Sequence, residues 1–454
     1  MKKMKVLTSM LLACMMVVTA CSGGSGGNGG NSGTATNAPS PEATAEPSQA
    51  PDATPEPTDL GGRTIRIAAW WDDKPKGETA NEIARLEKMA ELEKAYNFKF
   101  EFINIPFEEY MDKFTTTVLA GEPFADVAIM EFKRAIVPVK SGLVLPLSEF
   151  TTPGNDINNE QKLVTKLPAL GGDEYAFSPP FVSVVGLHYN RDLFKRLGLE
   201  DPQTLYANGQ WTWDKFLEMA KEATRDTDND GKIDSFGFSG WPADMARHFG
   251  ASNGVTFVNE SSLADQAGDP RMIETLEFVN RVVNVENVMK VKTGNKMDWN
   301  ETNTFKDGDV AMSIQYDWNI ADLTFEAGVV PIPKGPQSDG EHTYANAALN
   351  GWFIPKGVKD PQIVYHIFEE MRNVPPTEEY LGQDWLEARY KSEADIQMAL
   401  EHINGTGMIS IEEGVPDYPF YGILDDIIVN SQSVTATIEK FKQQGADALA
   451  KLSQ

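Results

Sequence analysis

Cysteine is nearly absent from this chain. Its 454 residues include 2 cysteines, Cys14 and Cys21, both close to the N-terminus. Everything after them has no partner for a disulfide, so the fold must rest on its core. Histidine is as scarce, with 5 residues scattered without metal-ligand spacing. No H-E-x-x-H, G-x-S-x-G or phosphate-binding loop occurs, and no Cys–His pair remains beyond Cys21. Basic residues are outnumbered, 40 Lys and Arg against 67 Asp and Glu, for a net charge of −27. That imbalance argues against nucleic acid or an anionic membrane surface as the ligand, because both would repel it. Beyond the first residues no apolar run is long enough to span a bilayer, and no internal repeat is visible.

What is present starts with a targeting pattern. Lys2, Lys3 and Lys5 precede an apolar run from Val6 to Ala20, too short and too early for an ordinary membrane span. The segment Val18-Thr19-Ala20-Cys21 resembles a bacterial lipobox. By that resemblance residues 1–20 are a signal peptide and Cys21 is the lipidated N-terminus, the protein's only attachment to the membrane. One acyl chain holds weakly and two or more hold stably, at about 0.8 kcal/mol per buried methylene. Residues 22–59 read as a linker, first rich in Gly, Ser and Asn, then in Pro, Ala, Thr and Glu. Its Pro-rich half could reach on the order of 70 Å when extended. A lipid, a long leash and a globular body describe a protein that works just outside a membrane.

The body is expected to be α/β. Thr64–Trp71 reads as a buried strand, Asn81–Tyr96 as a helix, and Phe98–Ile103 as a strand. Phe107–Leu119 reads as a helix and Ala125–Met130 as a strand. Alternation at this spacing predicts parallel strands joined by crossover helices. Further helices are expected over 213–225, 270–285, 361–372 and 393–403.

Five segments then occur in a telling order: GLHYNRDLF from Gly186, WTWDKF from Trp211, DTDNDGKID from Asp226, FKDGDVAM from Phe305, and PIPKG from Pro331. Together they resemble the extracellular solute-binding family that serves ABC-type sugar importers, whose maltose-binding branch is the best known. The resemblance covers about residues 62–375. It implies a two-lobed, periplasmic-binding-protein-like class II fold with a hinge and an interlobe ligand cleft. One lobe would take residues 60–182 and 332–375, the other 186–328 and 376–454. The chain would cross near 180–186, return near 329–333, and cross again near 374–376. It also implies a carbohydrate ligand, ABC permease subunits as partners, a monomer, and a place on the outer face of the cell membrane.

The candidate ligand-binding residues follow from physics and from the resemblance. Ligands in open α/β sheets sit beyond the carboxyl ends of strands. Trp70, Trp71 and Asp72 stand at one such end and Glu131 at another. Aromatic rings stack on the C–H face of a sugar while carboxylates and amides take its hydroxyls. Opposite side-chain directions predict that one of Trp70 and Trp71 packs and the other faces the cleft. The resemblance puts Trp318 in the place of a sugar-stacking tryptophan, beside Asp317. Trp241, Asn350 and Trp352 fit site and core alike, and Tyr189 is a further candidate whose strand position also suits a structural role. Trp213 is expected to anchor its helix and Trp385 to cover the C-terminal helices.

The acidic loop is a separate candidate. Asp226, Asp228, Asp230, Gly231 and Asp234 fall at positions 1, 3, 5, 6 and 9 of a calcium loop, with the Lys232 carbonyl at position 7. Position 12 is Gly237 where an EF-hand needs a bidentate Glu. The alternatives are a structural calcium site and a plain acidic turn; neither is a catalytic cofactor. For the whole chain the competing function is a secreted polysaccharide hydrolase working with two carboxylates, or a sugar sensor without a transporter. A binding protein rather than an enzyme is the expectation.

Overall fold

Alternating burial along Arg63–Ala69 makes β1, with Ile65 and Ile67 buried on one face. The helix that follows, α1 (Ala80–Tyr96), begins where Thr79 accepts a hydrogen bond from the Glu82 amide. The Glu82 carboxylate in turn accepts from the Glu78 amide, and Asn97 ends the helix in the left-handed region. Then come β2 (Phe98–Asn104), α2 (Phe107–Leu119), β3 (Val127–Glu131) and α3 (Phe132–Lys140). Two later strands join them, β4 (Ala176–Phe177) and β10 (Asn350–Phe353). The sheet runs β2-β1-β3-β10-β4, with β1, β2 and β3 parallel and β10 antiparallel to β3. Tyr110 of α2 donates to the Ala68 carbonyl at 2.8 Å, locking that helix to the sheet.

A second sheet is built from β5 (Val185–Asn190), β6 (Phe236–Ser239), β7 (Val310–Tyr316) and β8 (Ala327–Val330), in the order β6-β7-β5-β8. Its helices are α4 (Arg191–Leu197), α5 (Pro202–Ala207), α6 (Trp213–Ala223), α7 (Pro242–Ser252), α8 (Pro270–Asn280) and the short α9 (Trp299–Thr302). Caps are written in the sequence: Asn190, Asp201, Thr212 and Asp269 each accept an amide of the turn they start. Trp213 does anchor α6, stacking on Phe278 at 4.4 Å and donating to Ser252.

The remainder of the chain returns to both halves. A two-stranded ribbon pairs β9 (Tyr344–Asn346) with β11 (Gly407–Ile409). Helix α10 (Pro361–Arg372) packs on α1, while α11 (Gln383–Arg389) and α12 (Glu393–Asn404) cover the outer side of β5 and β8 through Leu386, Tyr390, Val184 and Val329. The last helices, α13 (Phe420–Leu424) and α14 (Val434–Leu452), join α7 and α8. Residues 57–454 form one compact unit.

The computed structural model describes residues 58–147, 150, 175–177, 184–338, 342, 344–346, 350–375, 377–380, 382–404 and 407–452. The signal segment, Cys21, the linker to residue 57, residues 180–183 of the expected first crossing and Pro376 lie outside them. One expected crossing comes later than the sequence suggests. Residues 334–337 still bond to the second half, Lys334 to Trp211, Gly335 to Ser252 and Gln337 to Asn253. The chain therefore stays with the second half through Gln337, past the return expected at 329–333. In the expected second lobe, residues 412–414 lie against α3 of the first sheet, so close that a Cβ on Gly414 would sit 1.6 Å from the Lys133 carbonyl oxygen.

Candidate functional site

The order β2-β1-β3 places a topological switch between β1 and β3, and such crevices open beyond the carboxyl ends of the strands. At that end stand Trp70 and Glu131. Trp70 is half-buried, edge-on to Phe107 at 5.3 Å and to Tyr110 at 5.5 Å. The Arg134 guanidinium lies 4.2 Å over the Phe107 ring and 2.8 Å from Glu131, which is 8% exposed. Asn350 lies opposite Glu131 in the β10–β3 register. The tryptophan pair differs in exposure: Trp70 packs, while Trp71 stays 37% exposed, 6.4 Å from Trp352. Asp72 is exposed, its nearest cation Lys76 at 3.6 Å.

The carboxyl ends of β6 and β7 face the same junction. Tyr316 ends β7 and donates its hydroxyl to Asp244 on α7 at 3.1 Å. Its ring lies 5.3 Å from Trp318, tilted by 27°, and Trp318 lies 6.1 Å from Trp299, tilted by 26°. Trp318 is 48% exposed while Tyr316 and Trp299 are half-buried, so the three stacked rings present part of their apolar surface to solvent, chiefly through Trp318. Trp241, at the start of α7, holds a second aromatic face with Tyr421, 6.0 Å away, and is fixed by its indole N–H to the Met297 carbonyl.

A buried ionic network joins the two strand-end clusters. Arg247 is 8% exposed and lies 2.6 Å from Glu412 and 2.9 Å from Glu413, with Asp244 at 3.4 Å. Glu413 also pairs with Lys133 of α3 and accepts from Tyr421. Contacts thus run unbroken from Glu131 through Lys133, Glu413, Arg247, Asp244 and Tyr316 to Trp318. Burial raises the Asp244 carboxyl, with Arg247 and Lys133 opposing. Burial and then Asp244 push the Tyr316 hydroxyl well above its ordinary range, so it stays a donor.

Other expected site residues sit elsewhere. Tyr189 is fully buried, its hydroxyl 3.1 Å from both Asp201 oxygens, and a Cβ on Gly328 would come within 2.4 Å of its ring. It is a core residue. Asp317 is also fully buried, accepting from the Val184 amide at 2.9 Å and from the Trp385 indole at 2.8 Å. It organises the chain beneath the platform and is not placed to meet a ligand. Trp352 is 5% exposed, packed on Phe368 and under the Arg372 guanidinium at 4.4 Å. Both faces of β10 are covered, which is why the reading of Trp352 as a site residue gives way to core.

The arrangement suits a polyhydroxylated ligand between two strand-end clusters, with rings for its apolar faces and carboxylates for its hydroxyls. Residues 72–367 match the family described as Bacterial extracellular solute-binding protein. The chain belongs to this family. No curated protein matches the chain in a sequence comparison. Solved structures share its two-lobed fold at low identity. Against the ABC substrate-binding protein Lmo0181 of Listeria monocytogenes, in complex with cycloalternan, identity is 17% and the TM-score 0.62, over 86% of this chain and 99% of the other. The GacH receptor of Streptomyces glaucescens, in a study that includes its acarbose complex, gives 18% and 0.62 over 86% and 98%. The maltose/maltodextrin-binding domain MalE of Bdellovibrio bacteriovorus, bound to maltotriose, gives 16% and 0.59 over 86% and 100%.

Trp299, Tyr316, Arg247, Tyr421, Glu412 and Glu413 escaped the sequence reading. The Trp299 signal was a lone aromatic in a polar stretch, MDWNETN, a few residues ahead of the FKDGDVAM segment. The ionic network had no local signal, since Arg247 and Glu412 are far apart in sequence.

The acidic loop joins α6 to β6. Carboxylate oxygens of Asp226, Asp228 and Asp234 lie within 4.8 Å of one another. Asp226 Oδ2 accepts from the Gly231 amide, and its buried Oδ1 has no hydrogen-bond donor. Asp230 is turned to the Lys232 amide at 2.8 Å and stands outside that cluster.

Proposed function

We propose that this protein is the substrate-binding component of an ABC importer, lipid-anchored outside the cell at Cys21, that captures an oligosaccharide and delivers it to permease subunits as a monomer. The observation that carries the sugar is the exposed Trp318 ring, stacked with half-buried Tyr316 and Trp299 beside Asp244. Pyranose rings present apolar faces and hydroxyl edges at once, and this surface offers a partner for each. The solved structures of the same fold include complexes with cycloalternan, maltotriose and acarbose. Closure of two lobes on such a ligand follows when it touches both only in the closed state. The family and its structural neighbours are binding proteins, and the carboxylates at the junction are tied to cations or to Tyr316 rather than poised for acid–base work.

The test is thermal melting of residues 57–454 against mono- and oligosaccharides, with product analysis. A ligand bound only to the folded state stabilises it by about 2.7 kcal/mol at a hundredfold excess over Kd. A shift with the glycan recovered intact supports the reading; a cleaved glycan points to a hydrolase, and no shift from any sugar sinks it. Lipidation is checked by labelled fatty-acid incorporation, lost in Cys21→Ser. The acidic loop fits a structural calcium ion: the unbonded Asp226 Oδ1 and the converging Asp228 and Asp234 oxygens are hard donors, and carbonyl oxygen such as that of Lys232 would complete the set.

A further inference from the structure

The charges at the junction of the two sheets are matched among themselves before any ligand arrives. Lys133 pairs with Glu413 and has Glu131 at 3.7 Å. Arg134 is 2.8 Å from Glu131 and lies flat on Phe107. Arg247 is enclosed by Glu412, Glu413 and Asp244. On the adjoining loop Lys296 donates to Asn284. At this junction Lys133, Arg134 and Arg247 each already have a carboxylate partner. The carboxylates are engaged in turn, yet each keeps lone pairs that a hydroxyl can use.

Glu413 is the centre of this balance. It is the carboxylate shared by the Lys133 cation of the first sheet's α3 and the Arg247 cation of the second sheet's α7, and its side chain is 12% exposed. Burial works against its charge, but Arg247 and Lys133 outweigh it and hold the carboxyl well below the ordinary range. A buried charge without a partner is expensive, so a site that has already paired its cations excludes an anion that would have to separate them.

We propose that Glu413 is a specificity residue: by occupying Lys133 and Arg247 it turns the cleft against acidic glycans and excludes uronates and phosphorylated sugars. The inference rests on the carbohydrate reading above and narrows it. An unengaged Lys133 would offer an acidic sugar one charge-assisted hydrogen bond, for about a tenfold gain in affinity, or roughly 1.4 kcal/mol.

The experiment uses the full-length protein in detergent, titrated with maltotriose, mannotriose and trigalacturonate. Wild type is expected to bind a neutral trisaccharide and not trigalacturonate. Glu413→Gln is expected to raise the ratio of trigalacturonate to neutral affinity about tenfold. Binding of trigalacturonate by wild type as tightly as the neutral trisaccharide, or an unchanged ratio in a folded variant, overturns the inference and leaves the carbohydrate reading standing. Binding of no glycan at all sinks that reading and this inference with it. The wild-type comparison decides the question even if Glu413→Gln does not fold.

Discussion

Asp317 accepts the indole N–H of Trp385 at 2.8 Å and, through the same oxygen, the amide of Val184 at 2.9 Å. One buried carboxylate thereby ties α11 and the start of β5 to the turn that follows β7. Its neighbour Trp318 points the other way, 48% exposed on the aromatic platform. Adjacent residues so divide the work: Asp317 holds the turn and Trp318 presents its ring. Asp317→Ala should therefore act on stability. It strands two buried donors, each worth about 1–3 kcal/mol when unsatisfied, so a loss of about 3 kcal/mol is expected in urea unfolding. Asp317→Asn keeps an acceptor and should cost less, and glycan affinity of the folded fraction should change little in either.

Trp318→Ala should do the opposite. The ring is exposed in the free protein, so its removal should leave the urea midpoint nearly unchanged. Covering it with a sugar is worth about 2 kcal/mol, so affinity should fall about thirtyfold by calorimetric titration. Trp299, farther along the same face, should show a smaller loss, about fivefold. Tight binding by Trp318→Ala would mean that the ligand lies elsewhere.

The first sheet was readable because its signals are local. Helices expected over 107–119 and 361–372 appear with those bounds, and the strands and helix between 63 and 131 fall within two residues of expectation. Helix 270–285 appears as α8 to Asn280 and then a π-helical turn over Arg281–Val285, a change of winding that periodicity does not resolve. The site was harder because it depends on which distant segments meet. Trp352 fits site and core alike in the sequence, and only the place of β10 between β3 and β4, with Phe368 and Arg372 covering the ring, decides for core. Tyr189 could be placed only with Gly328 on the neighbouring strand and Asp201 beyond α4. Trp318 stood out through the resemblance alone, and its partner Trp299 showed only as a lone aromatic in a polar stretch.

Calcium offers a check on the acidic loop independent of any sugar. Asp226, Asp228 and Asp234 bring like charges within 4.8 Å of one another, a repulsion that a divalent cation removes. Melting in calcium against chelator should show a higher midpoint with the ion, by the linkage that binding the folded state imposes. Asp226→Asn and Asp234→Asn should abolish the difference, while Asp230→Asn, outside the converging oxygens, should reduce it less. An identical midpoint in calcium and chelator would leave the loop as an acidic turn.

A buried carboxylate on α10 should make stability depend on pH near neutrality. Glu369 is 7% exposed, and burial pushes its pKa up to about 7, opposed by the Tyr365 hydroxyl at 3.3 Å and aided by the Glu370 charge. The facing imidazole of His366 is 4.0 Å away. The folded pKa lies above the unfolded one, so the folded state binds the proton more tightly. The proton's contribution to stability is complete below the unfolded value near 4.5 and is lost as pH rises through about 7. Glu369→Gln imitates the protonated form at every pH. Relative to wild type it should be little changed at low pH and more stable by on the order of 3 kcal/mol in mildly alkaline buffer. Urea unfolding of both proteins on either side of neutrality gives the comparison. A constant difference across that window would mean that Glu369 keeps the same protonation in the folded and unfolded chain.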